Sequence, residues 1–213
     1  IYEWLSKYEA IISRQFDLKA RIQKLEIWPS ADGRLKKLDQ LYLAGDFDDP
    51  LGLADIVDLD ALGGRREFLE RCLDVKHLHF ANYVKDWLPP TLKAQALTVE
   101  KKFRLIQILA ENLPKLQGES RLKEILVDLP IVWCGNDMFS KASEAYFDSP
   151  DIRSILGIDT RIAELPIEHS DAIRTLYQWL GVSDEARPSS IISRIRLVQH
   201  FINTFRKYCC KLG

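Results

Sequence analysis

Ile1, Leu5, Tyr8 and Ile12 repeat at helical spacing, which predicts an amphipathic helix continuing to about Lys24. The pattern then changes. Leu25-Glu26-Ile27-Trp28-Pro29 reads as a short extended run, Asp32-Gly33 as a tight turn, and Leu35, Leu38, Leu41 and Leu43 as a returning strand followed by an irregular segment. Between Asp46 and Asp60 lie six aspartates and no basic residue, with Pro50 and Gly52 among them, so this is a loop. Gly63-Gly64 punctuates the chain before a short helix that should bury Phe68, Leu69, Cys72 and Leu73. Phe80 to Trp87 adds a helical turn or two, stopped at Pro89-Pro90 because proline lacks the N–H and restricts the residue before it.

Thr98 is placed to cap a helix carrying Phe103, Ile106, Ala110 and Leu113 on one face, with Pro114 interrupting or ending it. Leu116 to Leu126 is a second helical segment. Leu129-Pro130-Ile131-Val132-Trp133 reads as a strand with a turn at Gly135-Asn136-Asp137. Ser170 should cap a helix bearing Ile173, Leu176, Tyr177 and Leu180, and Gly181 occupies the left-handed C-terminal cap. A last helix starts after Pro188-Ser189-Ser190, with a stripe of Ile191, Ile195, Val198, Ile202, Phe205 and Cys209. The expected class is α+β.

These pieces recur in order. Leu25-Glu26-Ile27 matches Leu129-Pro130-Ile131, and the same separation of 104 positions pairs Asp32 with Asn136, Lys37 with Lys141 and Tyr42 with Tyr146. Leu69, Leu73 and Val75 match Leu176, Leu180 and Val182 at 107, and Arg104-Leu105-Ile106-Gln107 matches Arg196-Leu197-Val198-Gln199 at 92. The reading is a tandem repeat of long helix, short β-hairpin and short helices: one unit over 1–96, a second over 97–190, and the start of a third over 191–213. A repeat entered and left in mid-pattern reads as a piece of a longer protein.

Leu25 to Gly33 resembles the Leu-Pro-x-Phe-Pro…Asn/Asp-Gly element of sacsin-like proteins, and Leu129-Pro130-Ile131 keeps its opening. Phe68-Leu69 through Val75-Lys76 and Phe80 to Tyr83-Val84 is similar to a segment downstream of the ATPase in sacsin and NO VEIN-type proteins. Leu73-Asp74-Val75 departs from the usual Leu-Gly-Val, which Leu180-Gly181-Val182 retains. The resemblance implies a non-catalytic repeat region belonging to a large protein that also carries a GHKL-type ATPase. It brings no catalytic residue here: the ATPase signatures are missing, and Asp32-Gly33 lacks the second glycine of an adenine-binding motif.

Composition narrows the classes. Thirty Lys+Arg against 31 Asp+Glu give a net charge of −1, so no global field draws the chain to nucleic acid or anionic membrane. No apolar run reaches the roughly 20 residues of a membrane span. Cys72, Cys134, Cys209 and Cys210 match no metal or redox spacing and suit reduced thiols in the cytoplasm.

Candidate chemistry is sparse. His77 and His79 would share a strand face but have no third ligand nearby, and an EF-hand counted from Asp46 puts Leu51 and Val57 where glycine and glutamate belong. Gly63-Gly64-Arg65-Arg66 lacks the lysine and Ser/Thr of a phosphate loop, and no Gly-x-Ser-x-Gly occurs. No catalytic, metal or cofactor residue is therefore assigned. From Arg187 to Leu212 there are six basic residues and no acidic one. Arg187, Arg194, Arg196 and Arg206, with Asp46, Asp48 and Asp49 of the acidic loop, are the candidate partner-binding residues. The expectation is a scaffold that binds other domains of the same polypeptide or a protein partner; the alternative is a nucleic-acid module using the last helix.

Overall fold

The N-terminal run forms three helical pieces in place of the single helix to Lys24: α1 (Tyr2–Lys7), α2 (Glu9–Ile12) and α3 (Phe16–Gln23). Tyr8 leaves helical geometry at φ −104° and ψ 18°, and Gln15 is extended, so the backbone bends twice while Leu5, Ile12 and Ile22 stay buried. The computed structural model describes residues 1–47, 49–157 and 160–212, the last eight of them by backbone alone. Its contacts divide the chain into two compact units, residues 1–91 and 92–213.

In the first unit β1 (Trp28–Pro29) pairs antiparallel with β2 (Leu35–Lys36) across the Asp32-Gly33 turn. A 3₁₀ turn at Leu38–Gln40 follows. Tyr42 and Leu43 then pair in parallel with Ile56 and His77, each by a single bridge. Phe68–Cys72 winds as a π-helix and buries Phe68, Leu69 and Cys72. Next come α4 (Phe80–Asn82), a second π-helical stretch at Tyr83–Trp87, and α5 (Leu88–Lys93). Pro89 and Pro90 thus do not stop the helix. They fall in the first turn after the wide π-turn, where a missing N–H costs little.

The second unit opens with α6 (Val99–Glu111), whose Thr98 cap accepts from the Lys101 N–H at 3.4 Å. Leu116 to Leu126 is divided between α7 (Leu113–Gln117) and α8 (Ser120–Val127). β3 (Val132–Trp133) pairs antiparallel with β4 (Phe139–Ser140). A 3₁₀ turn at Ala142–Glu144 leads to β5 (Ala145–Tyr146), then α9 (Pro150–Leu156), and β6 (Arg161–Ile162), which pairs in parallel with β5. Helix α10 (Ser170–Leu180) has left-handed His169 in the cap position, so Ser170 is its first helical residue. The chain closes on α11 (Pro188–Leu212).

Several elements of the two units recur at one separation. Helix α3 and α8 have the same length and begin 104 positions apart (120 against 16), and α1 and α6 end at the same separation. Trp28 faces Lys36 as Val132 faces Ser140, again 104 apart, and the 3₁₀ turns at 38–40 and 142–144 keep that spacing. The later strand pairing also recurs. The Val57 N–H donates to Tyr42 and the Ala163 N–H to Tyr146, at 2.9 and 2.7 Å; Leu43 donates to Lys76 and Phe147 to Ser183, at 2.9 and 3.0 Å. Trp28 at the centre of the first unit is 0% exposed.

Candidate functional site

Pro188 has a fixed φ suited to the first helical position, and no Gly or Pro follows it before Leu212, so α11 runs 25 residues. Its root is anchored by Arg187, whose Nη1 donates to Ser143 O at 2.7 Å while Nη2 donates to Ala142, Ala145 and Gly181 carbonyls at 3.0, 3.3 and 2.8 Å. The same guanidinium stacks over the Tyr146 ring at 4.5 Å. Ser190 Oγ and the Tyr146 hydroxyl share a 2.6 Å hydrogen bond, and Ile191 packs on the cluster of Tyr146, Ile152 and Leu156.

Beyond that root the apolar face opens to solvent. Leu197 is 62% exposed, Val198 46%, Phe201 69% and Ile202 44%. Leu105, Ile106, Leu109 and Ala110 stand 92 positions earlier on α6, and all are buried there. Leaving a large apolar side chain uncovered forgoes roughly 1.5–3 kcal/mol that burial would contribute. Contiguous exposed apolar surface of this kind marks a place for another surface.

At the base of the open face lies a cleft of about 480 Å³, lined by Glu144, Tyr146, Arg161, Ser193, Arg194 and Leu197 among others. Arg161 is ion-paired with Glu144. Arg194 has no carboxylate partner among the described residues; its guanidinium lies so close to Gly157 that a Cβ there would stand 2.6 Å from Nη2. The first unit has a cleft of about 470 Å³ on the equivalent tyrosine, Tyr42. Its charge is opposite, with Asp39, Asp55 and Asp86 against Lys36. There the Tyr42 hydroxyl donates to Asp86 at 2.9 Å, and burial first, then Asp86, pushes its pKa up to about 12. Burial works against the Lys36 ammonium, but Asp55 and Asp32, at 2.5 and 2.9 Å, hold its pKa above the ordinary lysine value.

The candidate residues drawn from the sequence scatter over several roles. Arg187 is committed to backbone carbonyls, Arg194 lines the cleft, and Arg196 is exposed on the far side of α11. The Arg206 side chain and Asp48 lie outside the described residues, as do the side chains of Phe205, Cys209 and Cys210. Asp46 sits 2.7 Å from His79 Nδ1, and Asp49 accepts from the Leu51 and Ala54 N–H groups at 3.2 and 2.6 Å, so these two organise their own loop. His77 stands beside Glu70 at 3.2 Å, and Arg66 pairs with the same Glu70 at 2.7 Å. Among the described residues no three His, Cys, Asp or Glu side chains gather as a metal site. Cys72 is buried and Cys134 half-buried, both as free thiols whose pKa burial raises. Asp32 accepts from the Arg34 N–H at 3.0 Å and pairs with Lys36, which fixes the hairpin turn.

Sequence reasoning missed Glu144, Tyr146, Arg161 and Ser190 as parts of one site. The recurrence of Tyr42 as Tyr146 was the available signal. Among the described residues no helix is long and apolar enough to cross a membrane. Compared with known proteins, the chain matches no family model, no curated protein and no solved structure.

Proposed function

We propose that this chain is a non-catalytic, protein-binding module of two tandem repeat units, a scaffold segment of a larger cytoplasmic protein that carries a GHKL-type ATPase elsewhere. The carrying observation is the open face of α11, where Leu197 and Phe201 stand uncovered at positions whose α6 counterparts are buried. The sacsin-like motifs at Leu25–Gly33 and Phe68–Val84 support the same reading. So does the recurrence of the hairpin, the 3₁₀ turn and the preceding helix at a separation of 104 positions, since repeat modules use stacked units to present extended binding surfaces.

A second reading, nucleic-acid binding, draws support from the lack of any acidic residue between Arg187 and Leu212. Arg187 contributes little to it, because its guanidinium is already occupied by carbonyls.

Selection of displayed random peptides on the immobilised chain tests the first reading. Retained peptides should lose about tenfold or more in affinity on a Leu197→Glu, Phe201→Glu chain. Peptides indifferent to that change, or ATP hydrolysis by the purified chain, would refute it. Binding of single-stranded DNA that weakens steeply with salt would favour the second.

A further inference from the structure

Each cleft holds one of the two equivalent tyrosines, Tyr42 or Tyr146, and they differ in the groups around it. In the first unit, Asp86 from the helical stretch after α4 reaches the tyrosine hydroxyl, and Asp55 and Asp39 stand nearby with Lys36. The cleft supplies its own carboxylates. In the second unit the tyrosine bonds Ser190 instead, α11 carries no acidic residue, and Arg194 stands on the wall without a carboxylate partner among the described residues. Arg161 opposite is only singly neutralised, by Glu144. Among the described residues that line the cleft, two guanidiniums stand against one carboxylate.

Leu197 belongs both to that cleft and to the exposed face. Leu197 and Val198 follow Arg194 by three and four residues, and Phe201 follows them by four and three, so the four lie along one side of the helix. A ligand that enters the cleft therefore continues onto the apolar stripe without a break.

We propose that this surface takes an amphipathic acidic segment of a protein partner. One of its carboxylates would sit at Arg194 between Tyr146 and Ser193, and its apolar side chains would cover Leu197, Val198 and Phe201. A guanidinium matches a carboxylate with two parallel hydrogen bonds, and a partly desolvated pair is worth more than a surface one. The apolar stripe supplies area, and the cleft supplies register and discrimination against basic segments. The inference rests on the reading of the chain as a protein-binding module.

The test is the sequence content of random peptides of about 12 residues selected on the 213-residue chain, followed by affinity measurement on variants. The retained peptides should be enriched in Asp and Glu beside Leu and Phe. Arg194→Glu should weaken them about tenfold or more and, in a fresh selection, retain Lys- and Arg-bearing peptides instead. Arg196→Glu, on the far side of α11, should change affinity by less than about twofold, and matched thermal melts should show all variants folded. Retained peptides with no acidic bias, or unaffected by Arg194→Glu, would overturn the acidic-partner proposal while leaving the docking face intact. No retained peptides, or peptides indifferent to Leu197→Glu, would overturn both. Tighter binding of a single-stranded DNA of about 20 nucleotides, lost in Arg194→Glu, would overturn both in favour of nucleic acid.

Discussion

Arg187 ties three segments together: the 3₁₀ turn at Ala142–Ser143, β5 at Ala145 and the end of α10 at Gly181. Charge-assisted bonds to carbonyls are worth more than neutral ones. Arg187→Ala should therefore lower the unfolding free energy by about 1–3 kcal/mol, with Arg187→Lys restoring only part, as read by urea denaturation. The buried tyrosines make a pH prediction. Burial raises Tyr42 to about 12 and raises Tyr83 and Tyr177 further, whereas an unfolded chain loses these protons near pH 10. Their contribution to stability is complete below pH 10 and is lost as pH rises toward the native values. Phenolate absorbance of the folded chain should lag that of the urea-unfolded chain above about pH 10, and Tyr42→Phe should narrow the lag. Coincident titration curves would contradict this.

At the scale of elements, α10 depends on its stop. Gly181 has φ 100°, its N–H bonds the Tyr177 and Gln178 carbonyls, and the Val182 N–H also reaches Tyr177. Any side chain there is strained, so Gly181→Ala should cost about 1 kcal/mol in the same denaturation assay. That stop was legible in the sequence, as were both hairpins, because Asp32-Gly33 and Gly135-Asn136-Asp137 announce left-handed turns and the structure gives those last three positive φ. The β5–β6 pairing was not legible. Each strand is two residues long and its parallel partner lies far along the chain, so no alternation exists to detect. The π-helices at 68–72 and 83–87 also escaped, since their apolar positions satisfy an α-helical pattern equally well, and this is why Pro89-Pro90 was misread as an end.

For the whole molecule, the spacing of 104 positions that relates isolated residues in the sequence also relates helix lengths, hairpin register and 3₁₀ turns. The site was only partly legible at this scale. The basic run pointed to Arg194, but its neighbours Tyr146 and Arg161 arrive from β5 and β6, whose pairing local periodicity does not encode. Nor does sequence likeness carry burial: Arg104–Gln107 and Arg196–Gln199 match, yet Leu105 is covered and Leu197 is not. α11 follows the Ser183 bridge, and α4 follows the bridge at His77.

Paired denaturation curves test the uncovered face of α11 most directly. Leu109→Ala on α6 should cost about 2–5 kcal/mol as a core cavity. Leu197→Ala with Phe201→Ala on α11 should leave the unfolding free energy within about 0.5 kcal/mol of the parent. A loss of about 2 kcal/mol or more from the α11 pair would mean that the chain packs this face itself, and the proposed docking surface would be contradicted.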